Sequence, residues 1–269
     1  MENFKDNSIE KGGDVTIHAV FTRHGEKEYV PGNSETGLTE AGRKKSLELG
    51  RGREEVDLIK PYSSQTLRSK ETAELETAGS PTANKGEYRP RKELGFQFDP
   101  NSDFVKEINR ISREIIGDNR AEKDPELFNR LMGQAAAAQT DYYLSFSDKK
   151  PDAIAPSPKE AAAGIAKMVD NYLRMTERLN SGSVLDLINA THDLNLSAFL
   201  KEVLVSEVDG NRIVGFNSIN DIGGTFGYNE RFEVLIKTDS VGVESHRLLF
   251  RGQEFEIDKK KFQELVNKK

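Results

Sequence analysis

Apolar and polar residues are arranged along the chain so that short strand-like runs alternate with helix-like segments. Apolar runs at residues 15–21, 56–59 and 184–190 are rich in Val, Leu and Ile, which is typical of buried strands. A helix is predicted to begin after Thr39, its natural N-cap, and a second helix is predicted to be capped by Ser64. This order favours an α/β fold built on parallel strands.

Residues 98–157 interrupt that order. Ile108, Ile111 and Ile115 recur at helical spacing, and a Pro-rich loop closes the segment, so we predict a helical insertion there. The predicted fold class is therefore α/β, a three-layer α/β/α sandwich with a mostly parallel central sheet plus a helical cap insertion. Residues 1–269 are predicted to form a single domain, with residues 98–157 as the cap within it.

Composition narrows the function classes. The chain has 269 residues, a net charge of −6 and no cysteine, and it lacks a basic surplus of the kind that nucleic-acid binding favours. The charged amino terminus, which has no apolar core, is unlike a signal peptide, and no apolar stretch is long enough to span a membrane. We expect a cytoplasmic protein with no nucleic-acid or membrane partner.

Polar segments follow the strand-like runs at three places. Arg23 and His24 follow the first run, a Ser-rich segment leading to Arg68 follows the second, and His192 follows the third. Ligands bind at the carboxyl ends of strands in open α/β sheets, so we expect these side chains to converge. Two imidazoles and two guanidiniums are what the handling of a phosphate through a phosphohistidine requires.

Four segments in this order resemble the histidine phosphatase superfamily, which includes cofactor-dependent phosphoglycerate mutases and histidine acid phosphatases. The segments are Arg23-His24-Gly25-Glu26, Leu38-Thr39-Glu40-Ala41-Gly42, Ser63-Ser64-Gln65-Thr66-Leu67-Arg68-Ser69 with Thr72-Ala73, and Thr191-His192-Asp193. A lone Arg-His-Gly tripeptide is weak evidence, whereas four ordered segments at strand-to-helix junctions are specific. The insertion and the carboxyl-terminal tail carry no motif that matches the family.

The resemblance implies a role for each matched residue. His24 would be the nucleophile that accepts the phosphoryl group. Arg23 and Arg68 would bind the phosphoryl oxygens through their planar, permanently charged guanidiniums. His192 would donate a hydrogen bond to the same group from the start of a helix. No metal or other cofactor is expected, because the arginines supply the positive charge.

The general acid has two candidates. Glu93 resembles the acidic residue of the mutase-like branch, and Asp193 resembles the acid of the acid-phosphatase branch, with Glu93 slightly preferred. Lys27 departs from the small hydroxyl residue that family members often carry there; it could contact a second anionic group or be a solvated loop residue. The chain also lacks the Trp-containing segment of the mutases, which disfavours mutase activity.

The sequence therefore predicts a phosphomonoester hydrolase that works through a phosphohistidine on His24. The alternatives are a phosphomutase and a catalytically silent module that binds phosphorylated ligands. The expected partner is a small-molecule phosphate ester or another phosphorylated substrate. The natural substrate and the oligomeric state are left open.

Overall fold

The computed structural model of the protein describes residues 10–30, 35–119 and 123–268. The strands of the described part are β1 (Thr16–Arg23), β2 (Leu58–Ser63), β3 (Arg89–Pro90), β4 (Val184–Thr191), β5 (Leu204–Val208), β6 (Asn211–Val214), β7 (Arg231–Thr238), β8 (Glu244–Phe250) and β9 (Gln253–Ile257). Its helices are α1 (Glu40–Arg51), α2 (Leu67–Gly79), α3 (Asp103–Ile116), α4 (Pro125–Ser145), α5 (Pro158–Thr176), α6 (Asp193–Val203) and α7 (Lys259–Val266).

The strands form one mixed sheet in the order β3-β2-β4-β1-β7-β8-β9-β5-β6. The pairs β2–β3, β2–β4 and β1–β4 are parallel, whereas every pair from β1–β7 onward is antiparallel. The prediction of a mostly parallel sheet is therefore wrong, although the α/β class is confirmed. Five of the eight pairs among the described strands are antiparallel, and three of these are hairpins between consecutive strands. The burial pattern differs accordingly, since β4 is buried almost continuously whereas β7 alternates.

Helices cover both faces of this sheet because neighbouring residues of a strand point to opposite sides. Ile17, Ala19 and Phe21 of β1 join the larger core, which also contains residues of α5 and α6. Val20 of the same strand faces the opposite way and packs with Ala73 of α2 in a smaller core. The three layers place α1 and α2 on one face and α5, α6 and α7 on the other.

The helix starts agree with the predicted caps in one case and differ in the other. Thr39 caps α1, and its hydroxyl accepts a hydrogen bond from the Gly42 amide at 3.0 Å. Ser64 does not cap α2, because the N-cap of that helix is Thr66. The Ser64 hydroxyl is used elsewhere, in the site described below.

The region predicted as an insertion contains α3 and α4. Phe104 of α3 and Tyr143 of α4 are buried within the larger core, and the Asp141 carboxylate of α4 accepts hydrogen bonds from Ser218 Oγ and the Ile219 amide, both at 2.7 Å. These contacts tie α4 to the segment that precedes β7. Within the described residues, no helix combines the length and the apolar character needed to cross a membrane.

Candidate active site

Three adjacent parallel strands end at the same edge of the sheet. β4 lies between β1 and β2, with Arg23 in register with Thr191 and Ser63 in register with Ala190. The residues that follow these strands must therefore lie side by side. The structure brings His24 and His192 together at this edge, with Arg23 and Arg68 near enough to influence the pKa of both imidazoles, and this is the convergence that the sequence predicted.

His24 is buried and its imidazole is oriented by the backbone. Its Nδ1 lies 2.9 Å from the Gly25 carbonyl oxygen, and the residue is 6% exposed. A carbonyl oxygen can only accept, so Nδ1 carries the proton and Nε2 keeps its lone pair. Burial, followed by the charges of Arg68, Arg23 and Lys27, lowers the pKa of His24 to about 3. The ring is consequently neutral at pH 7, with one nitrogen available as a nucleophile.

The loop that carries His24 is held by residues of the other matched segments. The Gly25 amide donates to Thr72 Oγ1 at 2.9 Å, and that hydroxyl donates to the Arg68 carbonyl at 2.7 Å. A Cβ at Gly42 would overlap the carbonyl oxygen of Glu26, so α1 can approach the loop this closely only through a glycine. These contacts explain why the Thr-Ala and Leu-Thr-Glu-Ala-Gly segments accompany the Arg-His-Gly motif.

His192 faces His24 across the site. The two ring centroids are 5.5 Å apart in an edge-to-face arrangement, and His192 Nε2 lies 3.1 Å from Ser64 Oγ. Burial, then the nearby His24, Arg68 and Arg23, hold the pKa of His192 well below its ordinary value. Both imidazoles are therefore neutral in a strongly positive surrounding.

Three cations surround the two imidazoles. Arg23, Arg68 and Lys27 each act on both rings, and each lowers the pKa of His24 and of His192. Burial, followed by Arg68 and Arg23, also lowers the pKa of Lys27, which places its ammonium in the same field. Such a concentration of positive charge favours the binding of an anion.

Arg23 is fixed in place without a carboxylate partner among the described residues. Its Nη1 donates to the Phe226 carbonyl, and its guanidinium carbon lies 4.5 Å from the centroid of the Tyr228 ring. Its Nε is buried and finds no acceptor in the part of the chain that the structure describes. A buried guanidinium N–H that lacks an acceptor is suited to a phosphoryl oxygen.

Glu93 lies beside this cluster in a 3₁₀ turn, Lys92–Leu94. The turn is anchored next to His192, because Thr191 Oγ1 donates to the Leu94 carbonyl at 2.7 Å and Asn195 Nδ2 donates to the Gly95 carbonyl at 3.2 Å. Glu93 and Ser64 line the same cavity of about 820 Å³, and Ser64 also contacts His192, so this cavity borders the site.

Asp193 occupies a different position from Glu93. Its Oδ1 accepts a hydrogen bond from the Phe226 amide at 3.1 Å and another from Ser197 Oγ at 3.2 Å. Burial raises the pKa of Asp193, while the nearby Arg23 opposes that shift. Its carboxylate therefore anchors residue 226 and also lies near the arginine of the site.

Sequence reasoning missed Tyr228. Its ring centroid lies 5.9 Å from that of His24, and 46% of the residue is exposed. The available signal was the glycine-rich segment 223–227 directly before a strand, which indicates a turn but not its position. Pairing of β7 with β1 brings that turn to the site.

Residues 19–87 match the model of the histidine phosphatase superfamily, branch 1. The match covers His24, Arg68 and the segments between them, and it confirms the resemblance that the motifs predicted. A search of curated protein sequences gave no match.

Solved structures with a similar arrangement include two bacterial proteins and one from a protist. Phosphoglycerate mutase from Bacillus anthracis is 15% identical, with a TM-score of 0.49 and 87% of this chain and 92% of that chain covered. Mycobacterial glucosyl-3-phosphoglycerate phosphatase is 15% identical, with a TM-score of 0.45 and 88% of this chain and 100% of that chain covered. A variant of phosphoserine phosphatase from Entamoeba histolytica, solved with phosphoserine, is 14% identical, with a TM-score of 0.47 and 88% of this chain and 98% of that chain covered. These distant likenesses do not identify a substrate.

Proposed function

We propose that the protein is a phosphomonoester hydrolase that works through a phosphohistidine on His24. The hydrogen bond from His24 Nδ1 to the Gly25 carbonyl carries this proposal, because it leaves Nε2 unprotonated beside a group of cations. A neutral imidazole nitrogen is the nucleophile that phosphoryl transfer to histidine needs. The family match over residues 19–87 supports a phosphoryl-transfer function independently.

The reaction has two steps. His24 Nε2 forms a bond to phosphorus while the bond from phosphorus to the ester oxygen breaks, and the departing oxygen takes a proton from a carboxylic acid. Water then attacks the phosphohistidine, giving its proton to the carboxylate, and inorganic phosphate leaves. Arg23 and Arg68 bind the phosphoryl oxygens throughout, and His192 donates to them as negative charge develops.

Glu93 is our first choice for the acid, with Asp193 as the alternative. Glu93 lines a cavity bordering the site, where a leaving group could be accommodated, whereas Asp193 Oδ1 is already engaged by the Phe226 amide and Ser197. The raised pKa of Asp193 is the observation that favours the alternative, because an acid must hold its proton until the leaving group needs it.

Leaving groups of different basicity distinguish the two carboxyls. Removal of the acid should cut kcat/KM at least a hundredfold for an alkyl phosphate and far less for p-nitrophenyl phosphate, whose leaving group needs no proton. We expect this selective loss in Glu93→Gln. The same pattern in Asp193→Asn, with Glu93→Gln unaffected, would assign the acid to Asp193.

The helical segment 98–157 is proposed to act as a cap that selects the leaving group, within a single domain of residues 1–269. Lys150, Ile154 and Pro156 from this segment line the same cavity as Glu93. Loops and insertions above a rigid scaffold commonly determine ligand choice.

The direct test of the proposal is detection of the intermediate. The protein is mixed with p-nitrophenyl phosphate, with and without EDTA, and quenched rapidly; we expect nitrophenol release that survives chelation and an acid-labile phosphoenzyme. Both should vanish in His24→Ala and persist in His246→Ala, a matched control because His246 lies in β8 away from the site.

Other outcomes separate the alternatives. Transfer of the phosphoryl group to a second hydroxyl of a diol substrate, without phosphate release, would indicate a phosphomutase. Binding of phosphate esters without turnover by the unmodified protein would indicate a silent binding module and overturn the hydrolase.

A further inference from the structure

The turn formed by residues 223–230 closes one side of the active site. It precedes β7, the antiparallel neighbour of β1, and Arg231 at the start of β7 is in register with Thr22. The turn must therefore lie beside the carboxyl end of β1, next to His24. None of the sequence segments that matched the family includes it.

The turn is held from both sides. Asp193 and Arg23 bind the amide and the carbonyl of Phe226, respectively. On the far side, Arg251 Nε donates to Glu230 Oε1 at 2.7 Å, and its Nη2 donates to the Thr225 carbonyl at 3.1 Å. Tyr228 is thus the exposed tip of a turn whose backbone is fixed.

The ring of Tyr228 lies against the reacting groups yet remains half open to solvent. It is 4.5 Å from the Arg23 guanidinium carbon and 5.9 Å from the centroid of the His24 ring, with 46% of the residue exposed. The contact with Arg23 occupies part of the ring surface. Nearly half of the residue is therefore accessible to a ligand, close to the His24 ring.

We propose that Tyr228 is a specificity-determining residue that contacts the leaving group and favours phosphomonoesters whose leaving group is a planar aromatic ring. This inference rests on the proposed function, because it requires the phosphoryl group to lie against His24. In an in-line displacement the leaving group points away from the attacking nitrogen. The atoms of the leaving group nearest the phosphoryl group therefore pass the rim that the Tyr228 ring borders, and the rest of the group extends toward the cavity lined by Glu93. Aromatic rings gain from stacked or edge-to-face contact beyond simple burial.

Two phosphonates that cannot be hydrolysed test the proposal directly. Benzylphosphonate and cyclohexylmethylphosphonate share a ring of similar size and the same linkage, and only the first ring is aromatic. By calorimetric titration we expect the unmodified protein to bind benzylphosphonate about three- to tenfold more tightly, the range that an aromatic pair provides. Tyr228→Phe should keep this ratio, and Tyr228→Leu should bring it close to one.

Each outcome decides the matter. Equal affinities in the unmodified protein, or a ratio that survives in Tyr228→Leu, would overturn the proposal. Equal weakening of both phosphonates in Tyr228→Leu, with the ratio unchanged, would also overturn it, because the ring would then serve only to hold Arg23. Thermal unfolding of each variant checks that the fold is intact.

Hydrolysis of benzyl phosphate separates this inference from the proposed function. Preferential phosphonate binding that depends on Tyr228, without any release of phosphate from benzyl phosphate, would overturn the hydrolase while supporting the role of the ring. Phosphate release with no aromatic preference would do the reverse.

Discussion

Two groups of charged side chains, one beside the middle of β1 and β4 and one at the carboxyl ends of these strands, differ in how their cations are paired. Within the sheet, His18 of β1 and Asp186 of β4 lie in register, and Arg53 contacts Asp186 Oδ2 at 2.8 Å and Glu76 Oε1 at 2.5 Å. At the carboxyl ends of the same two strands, Arg23 is held by a carbonyl and an aromatic ring, and His24 is held by a carbonyl.

The difference separates a structural role from a binding role. In the inner group each cation meets a carboxylate, so Glu233, through its hydrogen bond, raises the pKa of His18. At the strand ends, burial and neighbouring cations lower the pKa of His24 to about 3. Pairing within the protein stabilises the fold, whereas cations gathered around neutral imidazoles leave positive charge for a ligand.

The largest expected effect is a loss of stability when the charged group of Arg53, Glu76 and Asp186 is disrupted. Arg53→Ala should lower the free energy of unfolding by about 3–5 kcal/mol, because it removes the arginine paired with Asp186 and one of the two arginines paired with the fully buried Glu76. Urea unfolding at pH 7 measures this loss. Lys44→Ala, which removes an exposed ion pair with Glu48, is the control and should change stability by less than about 0.5 kcal/mol. A similar small change in Arg53→Ala would refute the structural role.

Arg68→Ala should reduce activity strongly and stability only slightly, unlike Arg53→Ala. We expect kcat for p-nitrophenyl phosphate to fall about a hundred- to a thousandfold, because a positioned donor to the developing charge is lost, with little loss of stability. Arg174→Ala, which removes an exposed arginine paired with Asp170 on α5, is the control. Near-normal activity in Arg68→Ala would contradict its placement in the phosphate site.

The pH dependence of stability should change sign between the two groups. Folded His24 stays neutral while the unfolded chain binds a proton below pH 6.5, so His24 lowers stability as the pH falls from about 6.5, by up to about 1.4 kcal/mol per pH unit. His18, whose folded pKa is raised, contributes stability below pH 6.5 that is lost as the pH rises through the folded pKa.

Urea unfolding at pH 5, 6 and 8 tests this sign change. We compare the free energy of unfolding of each variant with that of the unmodified protein at the same pH. For His24→Asn this difference should be more favourable to the variant at pH 5 than at pH 8, and for His18→Asn it should be less favourable at pH 5 than at pH 8. If the unfolding free energies of both variants changed in the same direction with pH, the surroundings of His24 and His18 would not differ in charge as described.

The smallest expected effect concerns the hydroxyl between the site and its neighbouring cavity. Ser64→Ala should reduce kcat roughly fivefold, because His192 loses a hydrogen-bond partner worth about 1 kcal/mol. Ser69→Ala is a matched control, since that buried hydroxyl bonds Thr66 in the same segment and does not contact His192. Equal reductions of kcat in the two variants would show that Ser64 only supports the local structure of its segment and does not act through His192.

Sequence reasoning succeeded where the relevant signal is local. Thr39 was predicted as a cap because a Thr directly before a helical segment can bond an amide of its first turn, and its hydroxyl does accept a hydrogen bond from the Gly42 amide. Ser64 was assigned to the same kind of role and was not found there, because its hydroxyl contacts His192, 128 positions away in the chain. The short hairpin of β5 and β6 was missed although a local signal was present, because Asp209-Gly210 is a two-residue hairpin turn with positive φ at both positions.

The sequence by itself determined the α/β class and placed Arg23, His24, Arg68 and His192 in segments that follow strands, because strand-to-helix junctions are encoded in short apolar runs and in the polar residues that follow them. The tertiary structure alone decided that β7 pairs with β1, the tautomer of His24 and the position of Tyr228. These depend on which distant segments pack against one another, and side-chain periodicity contains no record of that choice.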